Sequence, residues 1–586
     1  MCGIIGYIGQ REASLVLKKG LESLEYRGYD SAGIATIKDT ISVSKDVGKI
    51  ANIKWDMDKL KGNIGIAHTR WATHGGVTKN NAHPHLSCDG NIAVVHNGII
   101  ENFSEVKREL EKKGHNFKSE TDTEVIPHLI EENMKKMGFE DAVFESIKRL
   151  KGAFAFVAVS SREQKIMAFR KESPLVVGLG QGENFVASDA YPFLEYTKRA
   201  VFLDDNEAAV LTKDKVDFYG FDRARLKKEP KILDWDPKQA GKNGFEHYLI
   251  KEIYEQPLVL KQTLAQDEKK LKEVASLIQR APRVCIVAAG TARHASIVGR
   301  YIISELAGKY CEVYMASEFQ YFVDKIEKGS VIIGVSQSGE TADVLFPIKK
   351  AKKNGCKIVS IVNVVGSSLD RESDVSLYLN CGPEISVAST KAFTAQVLMF
   401  YLIAYTMAYK LEEGKRQLGQ LTTKIEETIK STEPEVKKLA EYMKDKNDAY
   451  FIARGENFAI AIEGSLKLKE ISYIHAEGMP AGELKHGTLS LVTDGVPVII
   501  IAPKDYTYEE TLANAHEVKS RGGYIIGISD ENNPIFDVWL KIPKVEPLFY
   551  PILTNILCQL LAYYTAKAKG NDVDKPRNLA KSVTVR

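Results

Sequence analysis

Apolar positions fall into two kinds of pattern along the chain, and the change between them divides it. Up to about residue 220 the apolar runs are short and strand-like, as in Asn91-Ile-Ala-Val-Val-His and Ala153-Phe-Ala-Phe-Val-Ala-Val. Few helical periods interrupt them. One runs from Glu12 to Glu25, with Leu17, Leu21 and Leu24 at i, i+4 and i+7, and a second starts near Asp122 with Val125, Ile126, Leu129 and Ile130. A strand-rich domain carrying a few one-faced helices is predicted over 1–221. From 222 to 247 the pattern gives way to charged and turn residues, including Lys227-Lys-Glu-Pro-Lys and Asp236-Pro-Lys-Gln-Ala-Gly-Lys-Asn-Gly, which predicts a linker.

Beyond the linker the order is strand, loop, helix, strand. The strands, such as Val284-Cys-Ile-Val-Ala-Ala and Val331-Ile-Ile-Gly-Val, are too continuously apolar to have a wet face, so parallel sheets covered by helices on both sides are predicted. The pattern occurs twice: Val331 to Asn363 aligns with Val498 to Asp530, strand on strand, with Gly355 and Gly522 at matching places. Two copies of one α/β domain follow, over 248–425 and 440–575, with a tail at 576–586. The loop after the first strand of the pair separates them. Ser336-Gln-Ser-Gly-Glu-Thr stands in the first copy and Pro503-Lys-Asp-Tyr-Thr in the second, so only the first keeps a small-hydroxyl loop.

The 586 residues are enough for roughly three or four domains of about 150 residues, in keeping with this division. Lys and Arg number 80 against 77 Asp and Glu, a net +3 without a block of one sign, which argues against a nucleic-acid surface. No run approaches the roughly 18 apolar residues of a membrane span, and Met1 leads directly into Cys2-Gly-Ile without a basic segment before an apolar core. A cytoplasmic protein without membrane contact is expected. The seven cysteines are odd in number, widely spaced and contain no C-x-x-C, which argues against a disulfide framework and against structural zinc.

Cys2 is the first candidate for chemistry. Removal of Met1 would place its α-amine, of reference pKa about 8, beside a thiol of about 8.5, so nucleophile and base share one residue. Read alone, Cys2 is equally a small buried residue opening a strand. Companions lie in Arg27-Gly-Tyr-Asp-Ser, His68-Thr-Arg-Trp-Ala-Thr-His, His96-Asn-Gly and Thr121-Asp-Thr-Glu. An arginine fork suits a carboxylate, an aspartate an ammonium, and an Asn amide beside a Gly N–H an oxyanion. Singly, each has an ordinary reading as turn, surface pair or helix cap. Five histidines fall between His68 and His96 without H-E-x-x-H or cysteine partners, so no metal and no cofactor are expected, and activity should survive exhaustive chelation.

A second constellation is Ser336-Gln337-Ser338-Gly-Glu-Thr341, between a buried strand and a helix. Hydroxyls and free N–H groups at a helix N-terminus on the carboxyl edge of a parallel sheet suit a phosphate, although such a turn can also merely cap its helix. No Walker A loop or G-x-G-x-x-G is present, so the ligand expected is a phosphosugar rather than a nucleotide. The third lies in Phe458 to His475, where Glu463, Lys467 and Glu470 share one helical face amid apolar residues. If buried, a Glu beside a Lys is a proton-transfer pair. His486 follows in Gly482-Glu-Leu-Lys-His-Gly, and Lys581 sits in the tail, where a desolvated lysine amine can form a Schiff base with a ketose.

The opening Cys2-Gly-Ile-Ile-Gly and its four companion motifs, in order, closely resemble the glutaminase domain of the class II, N-terminal-nucleophile amidotransferases. That resemblance implies an αββα sandwich in which Cys2 attacks the glutamine amide, its amine shuttles the proton, and Asn97 with the Gly98 N–H holds the oxyanion. It also implies that Arg70 and Asp122 bind the carboxylate and amine, that Thr73 and His74 line the pocket, and that Trp71 gates an ammonia passage. The second half resembles paired sugar isomerase (SIS) domains, doubly wound around parallel sheets. The order glutaminase, isomerase, isomerase and Leu-Ala-Lys-Ser-Val-Thr-Val tail is similar over essentially the whole chain to the glutamine:fructose-6-phosphate amidotransferase family. By that likeness Ser336, Gln337, Ser338 and Thr341 hold the phosphate, with Thr291, Val387 and Ser389 near the sugar. Glu470 moves a proton between C1 and C2 with Lys467 assisting, His486 opens the ring from a partner subunit, and Lys581 forms the imine. The implied partners are L-glutamine, fructose 6-phosphate and a second copy of the chain, paired through the SIS domains. One departure is Ala289-Gly-Thr-Ala292 in place of the family's C-G-T-S, which lacks one neutral hydrogen bond to phosphate worth about 1 kcal/mol. Two other readings stay open: an amidotransferase or deglycase for another sugar phosphate, and a non-catalytic phosphosugar sensor.

Overall fold

The computed structural model describes residues 2–233 and 241–584. The chain divides into two compact units, one of Met1–Lys238 with Ser582–Arg586 and the other of Gln239–Lys581.

In the first unit, period-two apolar patterning builds two antiparallel sheets face to face. Gly3–Ile8 and Ile64–Arg70 lie inside an eight-stranded sheet, and Ile92–Gly98 and Phe154–Ser160 inside a seven-stranded one. Successive residues of each strand point to opposite faces. Ile4, Ile8 and Ile66 therefore meet Val95, Ala155 and Val157 between the sheets, while Ile5 and Tyr7 face outward under the helix Ala13–Leu24. Val94, Phe156 and Phe169 face outward on the other side, under Phe103–Lys112, Val125–Met134 and Phe139–Ile147. Four layers result, α/β/β/α, and the inner strands bring Cys2, Arg70 and Asn97 to one end.

The expected linker is only in part a connection. Arg225–Leu226 and Lys231–Ile232 add edge strands, one to each sheet of the first unit, and Tyr248–Tyr254 already forms a helix of the second. Residues 234–240 of that span lie outside those described.

The second unit holds two five-stranded sheets, and every pairing in both is parallel. The repeat seen in the sequence occupies equivalent places. Val331–Ser336 and Pro497–Ile501 are the central strands, followed by the helices Ala342–Lys353 and Tyr508–Lys519 and the next strands Lys357–Val362 and Tyr524–Ser529. Gly355 and Gly522, with φ of 84° and 82°, turn the chain out of each helix, a conformation that side-chain-bearing residues rarely adopt. No break separates the halves at 425–440: one helix, Leu411–Met443, runs through it with Pro434 inside. Its buried stripe of Leu421, Ile425, Ile429, Val436, Leu439 and Met443 outweighs the one backbone hydrogen bond the proline cannot donate. Among the described residues no helix is long and apolar enough to cross a membrane.

Candidate active sites

In the first unit Cys2 precedes the strand Gly3–Ile8, and its Sγ accepts a hydrogen bond from the Trp71 N–H at 3.2 Å. Burial pushes the thiol up, so the neutral form dominates and attack needs a base. The Asn97 side chain is oriented from both ends. His68 Nε2 lies 2.9 Å from the His96 carbonyl oxygen and 3.1 Å from Asn97 Oδ1; two acceptors at one nitrogen require its proton there. With Oδ1 so occupied, Asn97 Nδ2 donates one of its two N–H groups to the Cys2 carbonyl at 3.0 Å. Burial holds His68 down to about 3, so it stays a neutral donor throughout the useful pH range. Nothing in the sequence assigned it that role.

Gly98 has φ +116°, and a Cβ there would sit 2.1 Å from the Ala153 carbonyl oxygen. Only glycine keeps this N–H in place beside Asn97. If Gly98 is the oxyanion donor that the resemblance implies, Gly98→Ala should lower kcat for glutamine cleavage by about 100- to 1,000-fold, with KM for glutamine little changed. Steady-state glutamate release measures both.

Arg70 ends the strand Ile64–Arg70 and donates to the carbonyls of His74 at 2.5 Å and of Gly75 and Gly76 at 3.1 Å, shaping the following loop. Asp122, buried, accepts the Ile100 N–H at 2.7 Å through Oδ2. Burial lowers the Arg70 pKa, and the nearby acidic groups, Asp30, Asp122 and Glu120 among them, work against that shift. His74 meets the Phe103 ring edge-on at 5.8 Å, Trp71 meets Tyr29 in the same manner at 5.8 Å, and Thr73 is exposed on the loop between. Arg27 works elsewhere, paired with Asp189 at 3.2 Å, whereas Asp30 of the same motif accepts the Ala72 N–H at 2.8 Å and braces the loop after Arg70.

In the second unit, adjacent parallel strands carry two loops to one carboxyl edge. Val284–Ala288 pairs with Val331–Ser336, so the turn holding Thr291 lies beside Ser336–Thr341. Ser336 Oγ is 3.0 Å from Thr341 Oγ1 and accepts the Gly339 N–H at 3.0 Å. The Glu340 carboxylate is turned away onto Ser368, accepting its N–H at 2.8 Å and its hydroxyl at 2.7 Å. The result is a hydroxyl-lined turn at the N-terminus of Ala342–Lys353, with the Glu340 carboxylate drawn off it, although Asp343 stands in the helix's first turn. In the second copy, Asp505 and Glu456 occupy the equivalent region, and burial raises both carboxyl groups. A phosphate would meet carboxylates there. Ala289 and Ala292 stand before and within the first turn of Gly290–Ala307 and offer no hydroxyl.

The helix Asn457–Ser472 presents its charged face to Thr291. Lys467 Nζ donates to Thr291 Oγ1 at 3.0 Å and to Glu470 at 2.6 Å, and lies 3.4 Å from Glu463. Burial alone would lower Lys467, but these carboxylates outweigh it and raise it, so it remains an ammonium. Glu463, fully buried, also accepts from Thr291 at 3.1 Å and pairs with His294 Nδ1 at 2.7 Å. Glu384 extends this network by its charge on Lys467 and by a short hydrogen bond from Lys581. It is itself held by the Thr390 and Ala392 N–H groups at 2.9 and 3.0 Å and by Ser389 Oγ at 2.8 Å. The Val387 N–H donates to the Asp574 carbonyl at 3.0 Å, tying this loop to the tail. His486 alone stands apart, exposed on a short 3₁₀ turn, Ala481–His486. Glu384 and His294 are the residues that sequence reasoning left without a role, each a single polar side chain in an unremarked loop or helix turn; Glu463, already marked on the charged helical face, gains His294 and Thr291 as partners.

Comparison with known proteins agrees with this division. Residues 68–195 match the Glutamine amidotransferase domain family, and residues 277–406 and 442–567 each match the SIS domain family. Full-length relatives are the glutamine–fructose-6-phosphate aminotransferases [isomerizing] of Thermococcus kodakarensis, 47% identical, and Aquifex aeolicus, 48% identical, each aligned over 100% of both chains. Among solved structures, the C-terminal domain of glucosamine-fructose-6-phosphate aminotransferase from Francisella tularensis is 38% identical with a TM-score of 0.53, covering 57% of this chain and 99% of that one.

Proposed function

The chain belongs to the glutamine–fructose-6-phosphate aminotransferase (isomerizing) family, and from that premise we infer that it moves the amide nitrogen of L-glutamine to D-fructose 6-phosphate, releasing D-glucosamine 6-phosphate and L-glutamate. It is a glutamine-dependent transferase, and the observation that carries this is full-length identity of 46–48% to relatives so named.

In the proposed first half-reaction Arg70 and Asp122 hold the carboxylate and ammonium of glutamine, with Thr73 and His74 along the pocket. Cys2 attacks the side-chain amide carbon, and its own amine takes the thiol proton and passes it to the leaving nitrogen. Asn97 Nδ2 and the Gly98 N–H receive the charge on oxygen. Ammonia leaves, and water cleaves the thioester.

In the second, Ser336, Gln337, Ser338 and Thr341 hold the phosphate, with Thr291, Val387 and Ser389 about the sugar. His486 of the partner subunit protonates the ring oxygen to open it, and its exposure in a single chain supports a role across a dimer interface. Lys581 condenses with C2 and loses water, and ammonia then replaces the lysine. Glu470 takes a proton from C1 and returns it to C2, held in position by the Lys467 ammonium. Ammonia released into bulk water would protonate, so we place its transfer in a closed passage gated by Trp71. The seven free cysteines suit a reducing compartment, hence the cytoplasm.

The test is turnover of unlabelled glutamine and fructose 6-phosphate in buffer containing ¹⁵N-ammonium. Equal amounts of glutamate and glucosamine 6-phosphate, the latter unlabelled, are expected. Labelled product would remove the passage, and glutamate without any amino sugar would remove the sugar assignment.

A further inference from the structure

On the outer helical layer of the first unit, four side chains of the types that bind metals converge. Cys88 lies in the turn after the short strand His85–Leu86, His115 follows the helix Phe103–Lys112, and His128 and Glu131 are i, i+3 neighbours on Val125–Met134. Cys88 Sγ is 3.7 Å from His115 Nδ1 and 3.4 Å from His128 Nδ1, and Glu131 Oε2 is 3.1 Å from the first and 3.5 Å from the second of those nitrogens. One ligand atom from each residue falls within a common 4.8 Å.

Four of the six edges of a coordination tetrahedron are supplied by these separations, and the other two are at most 4.8 Å. Bonds of about 2.3 Å to sulfur and 2.0–2.1 Å to nitrogen or oxygen require about 3.6 Å between sulfur and nitrogen and about 3.3 Å between the lighter ligands. The surroundings fit as well. Each imidazole turns Nδ1 to the common point; His115 Nε2 is hydrogen-bonded to Glu132 at 3.2 Å, while Glu124 lies 3.5 Å from His128 Nε2 without a hydrogen bond. Carboxylates on the distal ring nitrogen are what metal-bound histidines carry. The Asn116 N–H lies 3.3 Å from Cys88 Sγ, placed to stabilise a thiolate, and the N–H groups of Cys88 and Asp89 fix Glu131 at 3.0 and 2.9 Å. Thiolate and carboxylate together carry two negative charges, equal and opposite to a divalent ion.

We propose that Cys88, His115, His128 and Glu131 bind one Zn²⁺ as a structural site. Thiolate, imidazole and carboxylate in a closed tetrahedron select zinc among common divalent ions, and four protein ligands leave no open position for chemistry. On binding, the Cys88 thiol gives its proton to solvent as the zinc–sulfur bond forms. The ion would fasten the turn that leads into Ile92–Gly98 to the helix that follows Thr121–Glu124, the segments bearing Asn97 and Asp122. The expectation of no metal came from cysteines without a C-x-x-C and from histidines 68–96 without zinc-site partners. His68, His83, His85 and His96 of that run are buried, their pKa values lowered by that burial, and they are spent on hydrogen bonds and stacking. The proposed ligands, spread over 88–131, form no compact motif.

The experiment is metal analysis of the full-length protein grown with zinc and freed of loose metal by gel filtration, beside Co²⁺ substitution of chelator-treated protein. About one zinc per chain is expected, with a cobalt–thiolate absorption that Cys88→Ser abolishes and Cys2→Ala leaves intact. Glu132→Gln, which spares every ligand, should weaken zinc about 10- to 100-fold. Zinc-free protein that takes up none on titration overturns the proposal, as does a cobalt band that survives Cys88→Ser and disappears with Cys2→Ala.

Discussion

Cys2→Ala should abolish glutamine-dependent synthesis while leaving synthesis from high ammonia. The thiol is the one group at this site able to form the thioester, and a lost nucleophile costs about a thousandfold or more in kcat. Alanine is smaller and apolar, so the Asn97 orientation set by His68 and the fold around it should persist. The readout is amino-sugar formation with each nitrogen donor in turn. Equal losses with both would mean that Cys2 serves the second site or the fold, and not glutamine cleavage.

The second large effect is expected at Glu384. Its carboxylate and the Lys581 ammonium are buried together, and although burial alone would raise Glu384, the lysine outweighs it and holds it below the ordinary range. Glu384 is the carboxylate that hydrogen-bonds Lys581 Nζ, and so it sets where that amine stands. Removing one partner of a buried pair leaves an uncompensated charge costing about 3–5 kcal/mol. Glu384→Ala should therefore lower synthesis by about 100-fold or more while KM for glutamine is unchanged. Borohydride reduction in the presence of fructose 6-phosphate should trap the sugar on Lys581 in the parent chain and far less in the variant. Undiminished trapping would reduce Glu384 to a packing role.

What the sequence made legible follows from how each feature is encoded. The repeat in the second unit is readable because a buried parallel strand must be apolar throughout and a helix-ending glycine must recur where φ is positive, as at Gly355 and Gly522. Cys2, Asn97 and Gly98 are readable because their chemistry needs those residue types beside each other. Glu384 is not, because an acid in a loop has no pattern until Lys581, 197 positions on, is folded against it. The same holds for His294, whose partner Glu463 lies 169 positions on. The two copies read as ending at 425 and resuming at 440, yet a buried stripe on both sides of Pro434 carries one helix through. Local grammar is overruled there by tertiary packing.

Asp574 bonds the N–H groups of Tyr248 and Leu249 at 3.0 and 2.8 Å, capping the first helix of the second unit with a residue seven places before Lys581. The unit thus begins and ends at the same knot. Trimming from either side loosens both, so a fragment that starts after this helix should misplace the C-terminal lysine although it retains it. A protease cutting after Asp572 would likewise unseat residues at the opposite terminus of the unit.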